Sequence, residues 1–326
     1  MPGAKRVRRR VTAALALTAA AFVLSLMVGR YDIRWSGIFR DTMDARVFFQ
    51  LRLPRTLMAL CAGVGLGVAG SVYQAVFHNP LAAPDVMGVA SGASAGAAAA
   101  IVLLGGGAVS TASCAFAGGM AAVLLALTMS RAAGRQGMMS VVLSGIAVNA
   151  LAQALLMLLK LTADPERQLA SIEFWMMGSF ADITLDRFCS VIVPIALGIG
   201  GLFVLHRPIA LLSLGDDDAQ MLGLNVRRAR AVVLLLSTLV TSAVVSATGL
   251  IAFAGLIAPH LARLITGSQR IVTTALAGVL GGGLLLAADI LARTAAGAEL
   301  PVSVVLSLLG VPFLMWLMCR RAAYDA

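Results

Sequence analysis

Arg52-Leu-Pro-Arg55 sets two guanidinium groups three positions apart at the head of a long apolar stretch, and His78-Asn-Pro-Leu-Ala82 closes that stretch with a Pro-broken polar turn. Guanidinium pairs at such a rim recognise carboxylates or lipid headgroups and perform no covalent step. The chain offers little else with reactive potential. Its two lysines, Lys5 and Lys160, follow no Gly-x-x-x-x-Gly run, so no P-loop is present. His78, His206 and His260 lack metal-ligand spacing, and no Gly-x-Ser-x-Gly elbow occurs. Cys61, Cys114, Cys189 and Cys319 lie in or beside apolar segments without Cys-x-x-Cys spacing, as helix-packing residues do. Asp289, with Arg293 one helical turn on, is the main intramembrane acid. It reads either as half of a structural i,i+4 pair or as the relay of an ion-coupled carrier.

The elements that position these groups are membrane spans. The 326 residues are 60% hydrophobic and 12% charged, against about a quarter charged in a soluble domain. Helices are expected near 11–28, 54–77, 86–104, 110–130, 138–160, 188–205, 231–250, 252–265, 272–293 and 302–319. The stretch 231–265 is too long for one span of about 20 residues and is broken by Gly249, Gly255 and Pro259. A hairpin there keeps Arg227–Arg230 and Arg263–Arg270 on one side.

The net charge of +10 follows this topology. Lys5, Arg6, Arg8, Arg9 and Arg10 precede the first apolar run, which reads as a retained signal-anchor. Arg131, Arg135, Arg207, Arg227, Arg228, Arg230, Arg263, Arg270, Arg320 and Arg321 punctuate alternate loops, so 15 of the 25 Lys and Arg residues share one side. The positive-inside rule places that side, with both termini, in the cytoplasm. The basic excess is topology and not a nucleic-acid footprint.

Small residues crowd two helices: Gly63, Gly65, Gly67 and Gly70, then Ser91, Gly92, Ala93, Ser94 and Gly96. Such faces serve close helix packing or line a passage between subunits. Two polar segments stand apart. Residues 162–187, on the outer side, include Glu173-Phe-Trp-Met-Met-Gly-Ser-Phe180 and suggest a short interfacial helix. Residues 211–230, inside, suggest a short helix capped by Ser213 or an early Asp, with acids in its first turn, Gly223 near its end and an apolar edge of Met221, Leu222 and Leu224. That edge is a docking candidate.

Several of these stretches form an ordered set: Arg52-Leu-Pro-Arg55, Asn79-Pro-Leu-Ala82, Ser91-Gly-Ala93, Trp175-Met-Met-Gly-Ser179, Leu214-Gly215 with Leu222-Gly223, Gly255-Leu-Ile-Ala-Pro-His260, Ala288-Asp-Ile290 and Glu299-Leu-Pro301. The set resembles the FecCD-type permeases of ABC importers for iron complexes, haem and vitamin B12, over nearly the whole chain. The resemblance implies an all-α, type II importer permease of about ten spans, a single transmembrane domain over 1–326 in the bacterial inner membrane. It implies a second permease subunit (a copy or a paralogue), two ATPase subunits inside that hold ATP and Mg, and a substrate-binding protein outside. No cofactor and no catalytic residue are expected on this chain.

By the same resemblance, Arg52, Arg55 and Arg293 meet acidic residues of the binding protein. Leu214, Gly215, Asp216, Asp217, Asp218, Ala219, Leu222, Gly223 and Leu224 form the helix that docks in the ATPase. Asn79 and Leu81, with Met138 and Met139 before the fifth helix, align with the inner gate. The two methionines stand where small hydroxylated side chains can occur, and a flexible apolar plug is compatible with a gate. An iron complex is the expected cargo, cobalamin the alternative, and an ion-coupled carrier using Asp289 the more remote reading.

Overall fold

Helix follows helix through the computed structural model, which describes residues 2–34, 38, 43–133, 137–267 and 271–322, the backbone alone for 2–4 and 316–322. Arg135 and Arg270 lie outside the described residues, as do the side chains of Arg320 and Arg321. The elements are α1 (Pro2–Met27), α2 (Met43–Val47), α3 (Leu53–Val76), α4 (Val89–Leu103), α5 (Ala108–Ala132), α6 (Met138–Thr162), α7 (Gln168–Met177), α8 (Leu185–Val204), α9 (His206–Leu212), α10 (Asp216–Met221), α11 (Val226–Thr248), α12 (Ala254–Thr266), α13 (Ile271–Thr294) and α14 (Val302–Ala322). The ten expected spans correspond to α1, α3–α6, α8 and α11–α14. Among the described residues, seven helices are long and apolar enough to cross a bilayer, and α4 and α14 add shorter apolar ones.

Most helix ends shift by a few residues from the sequence reading, α11 starting at Val226 so that Arg227, Arg228 and Arg230 lie within it, and two boundaries differ further. Helix α1 starts at Pro2, because the basic run Lys5–Arg10 contains nothing that breaks a helix and simply extends the apolar one. Helix α3 is preceded by α2 and a π-helical turn, Phe48–Arg52, so that Met43–Val76 forms one continuous run.

Helix α3 is the centre of the subunit, buried along most of its length. Its small residues are packing residues. A Cβ on Gly63 would collide with the Gly281 carbonyl of α13, on Gly67 with that of Ala277, and on Gly70 with that of Gly255 in α12. Helices α4 and α5 use the same device, with Gly92 against Gly118 and Gly96 against Cys114. In hydrocarbon, where helix association draws on close contact and not on water exclusion, these missing side chains set the arrangement.

The expected hairpin is present as α11, an irregular break over 249–253, and α12, whose 13 residues extend only about 20 Å. Gly249 has φ +71° and Phe253 φ +64°. Neighbouring elements satisfy part of the exposed backbone, as irregular chain at membrane depth requires. The N–H of Ser179 donates to the Thr248 carbonyl at 2.8 Å, and the Ser303 hydroxyl donates to the Leu250 carbonyl.

Candidate functional site

The groups singled out in the sequence gather at opposite ends of the bundle. The start of α3 and the ends of α1 and α13 form one end, which carries the arginines. The end of α3, the start of α6 and α10 lie at the other.

At the arginine end, a buried ionic network ties three helices together. Asp289 of α13 is fully buried. Its Oδ1 accepts from Arg55 Nε at 2.9 Å and Nη2 at 2.8 Å, while Oδ2 lies 3.4 Å from Arg293 Nη2. Arg55 Nη1 donates to both carboxylate oxygens of Glu299, at 3.0 and 3.2 Å. Arg293 Nη2 also donates to the Ser25 hydroxyl at 2.6 Å, and Ser25 in turn shares a 2.9 Å hydrogen bond with Thr56. Arg52, in the π-helical turn, caps the end of α1 by donating to the carbonyls of Leu26, Met27 and Tyr31.

All three arginines therefore point into the subunit and hold internal partners. The i,i+4 spacing of Arg293 to Asp289 along α13 is visible in the sequence, but the crossing contacts of Arg55 to Asp289 and Glu299 are not. The side chain of Glu299 is the most open member, 30% exposed against 12% for Arg55. The i,i+4 reading of Asp289–Arg293 holds, with Arg55 as a closer partner of the same carboxylate.

At the opposite end, α10 has three acids in its first turn and Gly215, with φ +123°, at its N-cap. The expected side-chain cap is absent, because Ser213 donates its hydroxyl back to the Ala210 carbonyl at 2.7 Å. Asp216 pairs with Arg230, a buried residue of α11, so the short helix is bolted to a long one. Ala219 is fully buried and Leu224 packs on the core. Leu214, Met221 and Leu222 face outward, Met221 being 86% exposed. Asp217 and Asp218 complete the acidic turn, and Asp216 and Asp217 border a cavity of about 230 Å³ with Arg131, Arg227 and Arg230. Gly223 ends the segment at φ +83°.

Asn79 and Leu81 form an Asx turn after α3, the Leu81 N–H donating to Asn79 Oδ1 at 2.9 Å. Leu81 and Met139 are exposed, whereas Met138 packs against the core. The described residues contain no group of three or more His, Cys, Asp or Glu side chains able to hold a metal ion.

The architecture is a polytopic helical bundle with a short exposed helix bolted to one end. Residues 17–320 match the model of the FecCD transport family, and the chain belongs to that family. It is similar to the molybdate import system permease protein MolB of Haemophilus influenzae, 34% identical over 93% of this chain and 92% of that one. It is similar also to the hemin transport system permease protein HmuU of Yersinia pestis, at 38% over 88% and 87%. The ferric enterobactin permease FepD of Escherichia coli is 33% identical over 98% of both chains. A solved structure described as an inward-facing conformation of a metal-chelate type ABC transporter superimposes with a TM-score of 0.87, at 31% identity over 96% of this chain and 99% of that one. The chain is an ABC importer permease.

Proposed function

We propose that this permease imports an iron complex, a ferric siderophore or haem, delivered by an extracytoplasmic binding protein. A second permease subunit completes the passage, and two ATPase subunits supply the energy from MgATP. The relatives named for hemin and ferric enterobactin support the cargo. A cobalamin permease of Halobacterium salinarum, 33% identical over 83% of this chain, keeps cobalamin as the second reading.

The observation that carries the mechanism is α10: an exposed apolar edge on a helix ion-paired to α11. A partner that moves α10 moves α11 with it, and α11 leads directly into the 249–253 break. In the proposed orientation, set by the distribution of arginines, α10 is cytoplasmic and meets the ATPase through Leu214–Leu224. Asn79 and Leu81, with Met138 and Met139, serve as the inner gate. The arginine end faces outward. There, carboxylates of the binding protein compete with Glu299 for Arg55, while Arg52 and Arg293 hold the rim from beneath.

The test is reconstitution in lipid with the partner ATPase and a binding protein loaded with ferric siderophore or haem. Stoichiometric assembly with cargo-stimulated ATP hydrolysis is expected. Transport by this chain without an ATPase, driven by an ion gradient, would refute the proposal.

A further inference from the structure

Among the carboxylates outside the networks above, one stands apart by its place in the fold. Asp85 lies in a short 3₁₀ turn, Pro84–Met87, between α3 and α4. In a simple up-and-down chain this connection would sit at the membrane surface. Here it dips inward. Met87 and Gly88 pack on α6 far inside its end: a Cβ at Gly145 would stand 3.2 Å from the Met87 Cα, and one at Gly88 would stand 3.2 Å from the Cα of Asn149, near the middle of that helix. Gly88 makes the approach possible through its left-handed backbone, φ +76°. Helix α4, which starts directly after it, has 15 residues and extends about 22 Å, short of the hydrocarbon thickness of about 30 Å.

Asp85 therefore lies well inside the end of α6, and the residue is exposed on the surface of the subunit. Its carboxylate takes a hydrogen bond from the Ala90 N–H and has no cationic partner among the described residues. It borders a cavity of about 150 Å³ whose other walls are uncharged, among them Leu66, Thr241, Val245 and Phe253 of the α11–α12 break. An unpaired acid exposed at this depth is not stable against lipid tails. Such residues face a bundle interior or a water-filled route.

We propose that Asp85 lines the cargo passage and gives it a negative potential, so that among iron complexes the passage favours neutral or cationic ferric siderophores over anionic ones, such as haem with its ionised propionates or a tris-catecholate chelate, and disfavours oxyanions of the molybdate type. The inference rests on the importer reading and narrows its substrate class. The mechanism is electrostatic: in a crevice with apolar walls a single fixed charge is weakly screened. The adjacent unwound segment 249–253 places the charge beside the part of the fold that α10 and α11 would move.

The experiment uses the assembled complex with Cys61, Cys114, Cys189 and Cys319 replaced by alanine and Ala83→Cys introduced on the cavity wall. Reaction rates are measured with cationic (trimethylammonioethyl) and anionic (sulfonatoethyl) methanethiosulfonates, without nucleotide and with ATP. The expected result is labelling by the cationic reagent in at least one state. The cation-to-anion rate ratio should fall about tenfold in Asp85→Asn. No aqueous labelling at position 83, or at Ala252→Cys should the first variant fail to assemble, overturns the placement in a passage. An unchanged ratio in Asp85→Asn overturns the charge selection. The ratio reads local potential whether or not transport occurs, so these outcomes are separate from failure of cargo-stimulated ATP hydrolysis, which would sink the importer reading instead.

Discussion

Removing the Asp289 carboxylate tests the arginine end most directly. Asp289 is fully buried and is the shared counter-charge of Arg55 and Arg293. Asp289→Ala leaves Arg55 with only Glu299, and Arg293 with the neutral Ser25 hydroxyl and carbonyl. Breaking a buried pair while one charge stays behind costs about 3–5 kcal/mol. Glu299→Gln removes a partner that is 30% exposed, where ion pairs contribute roughly 0–1 kcal/mol. The two variants should thus differ by at least about 2 kcal/mol in reversible unfolding of the purified subunit by denaturing detergent. Asp289→Asn, which keeps an acceptor for Arg55 but not the charge, should fall between them. Equal destabilisation by Asp289→Ala and Glu299→Gln would refute the claim that Asp289 is the keystone of the network.

Glu299→Gln has a second expected effect: it releases Arg55 Nη1, so binding-protein affinity should rise with a steeper salt dependence, and unchanged docking would remove Arg55 from the proposed contact. Arg55→Glu is a poorer probe, since it sets a third carboxylate beside Asp289 and Glu299. Met221→Asp alters an exposed side chain, so unfolding should shift by less than about 0.5 kcal/mol while ATPase co-purification weakens; retained co-purification would argue against docking there. Gly223→Pro demands φ near −65° where the chain has +83° and deletes the N–H donated to Gln220, so ATP hydrolysis should uncouple from uptake while membrane insertion persists. Gly67→Val drives a side chain into the Ala277 carbonyl and should cost about 3 kcal/mol, measured by the same detergent unfolding; a neutral outcome would contradict the α3–α13 contact.

Much of this protein was legible in the linear chain. Hydropathy marks ten apolar segments because each span must be apolar by itself for about 20 residues, a local property. Gly63 and Gly67 marked a face for close helix packing or a passage between subunits, and the contacts with Gly281 and Ala277 decide for packing. The exposed edge of α10 was readable from Met221 and Leu222, and the α11–α12 hairpin from Gly249, Gly255 and Pro259. Partner choice was not. Arg52 and Arg55 looked like outward-facing rim charges because spacing places residues on a face but does not say which helix lies opposite. Only the crossing of α3 with α13 brings Asp289 to Arg55 across 234 positions, and only the fold carries Glu299 back to the same guanidinium. Depth was equally hidden. Asp85 follows a Pro-broken turn that reads as a surface loop, yet the packing of Gly88 against Asn149 carries it inward to the middle of α6. The sequence by itself determined the spans, their small-residue seams and the family. The tertiary structure decided which charges are paired within and which acid is left without a cationic partner among the described residues, because pairing and depth depend on segments far apart in the chain.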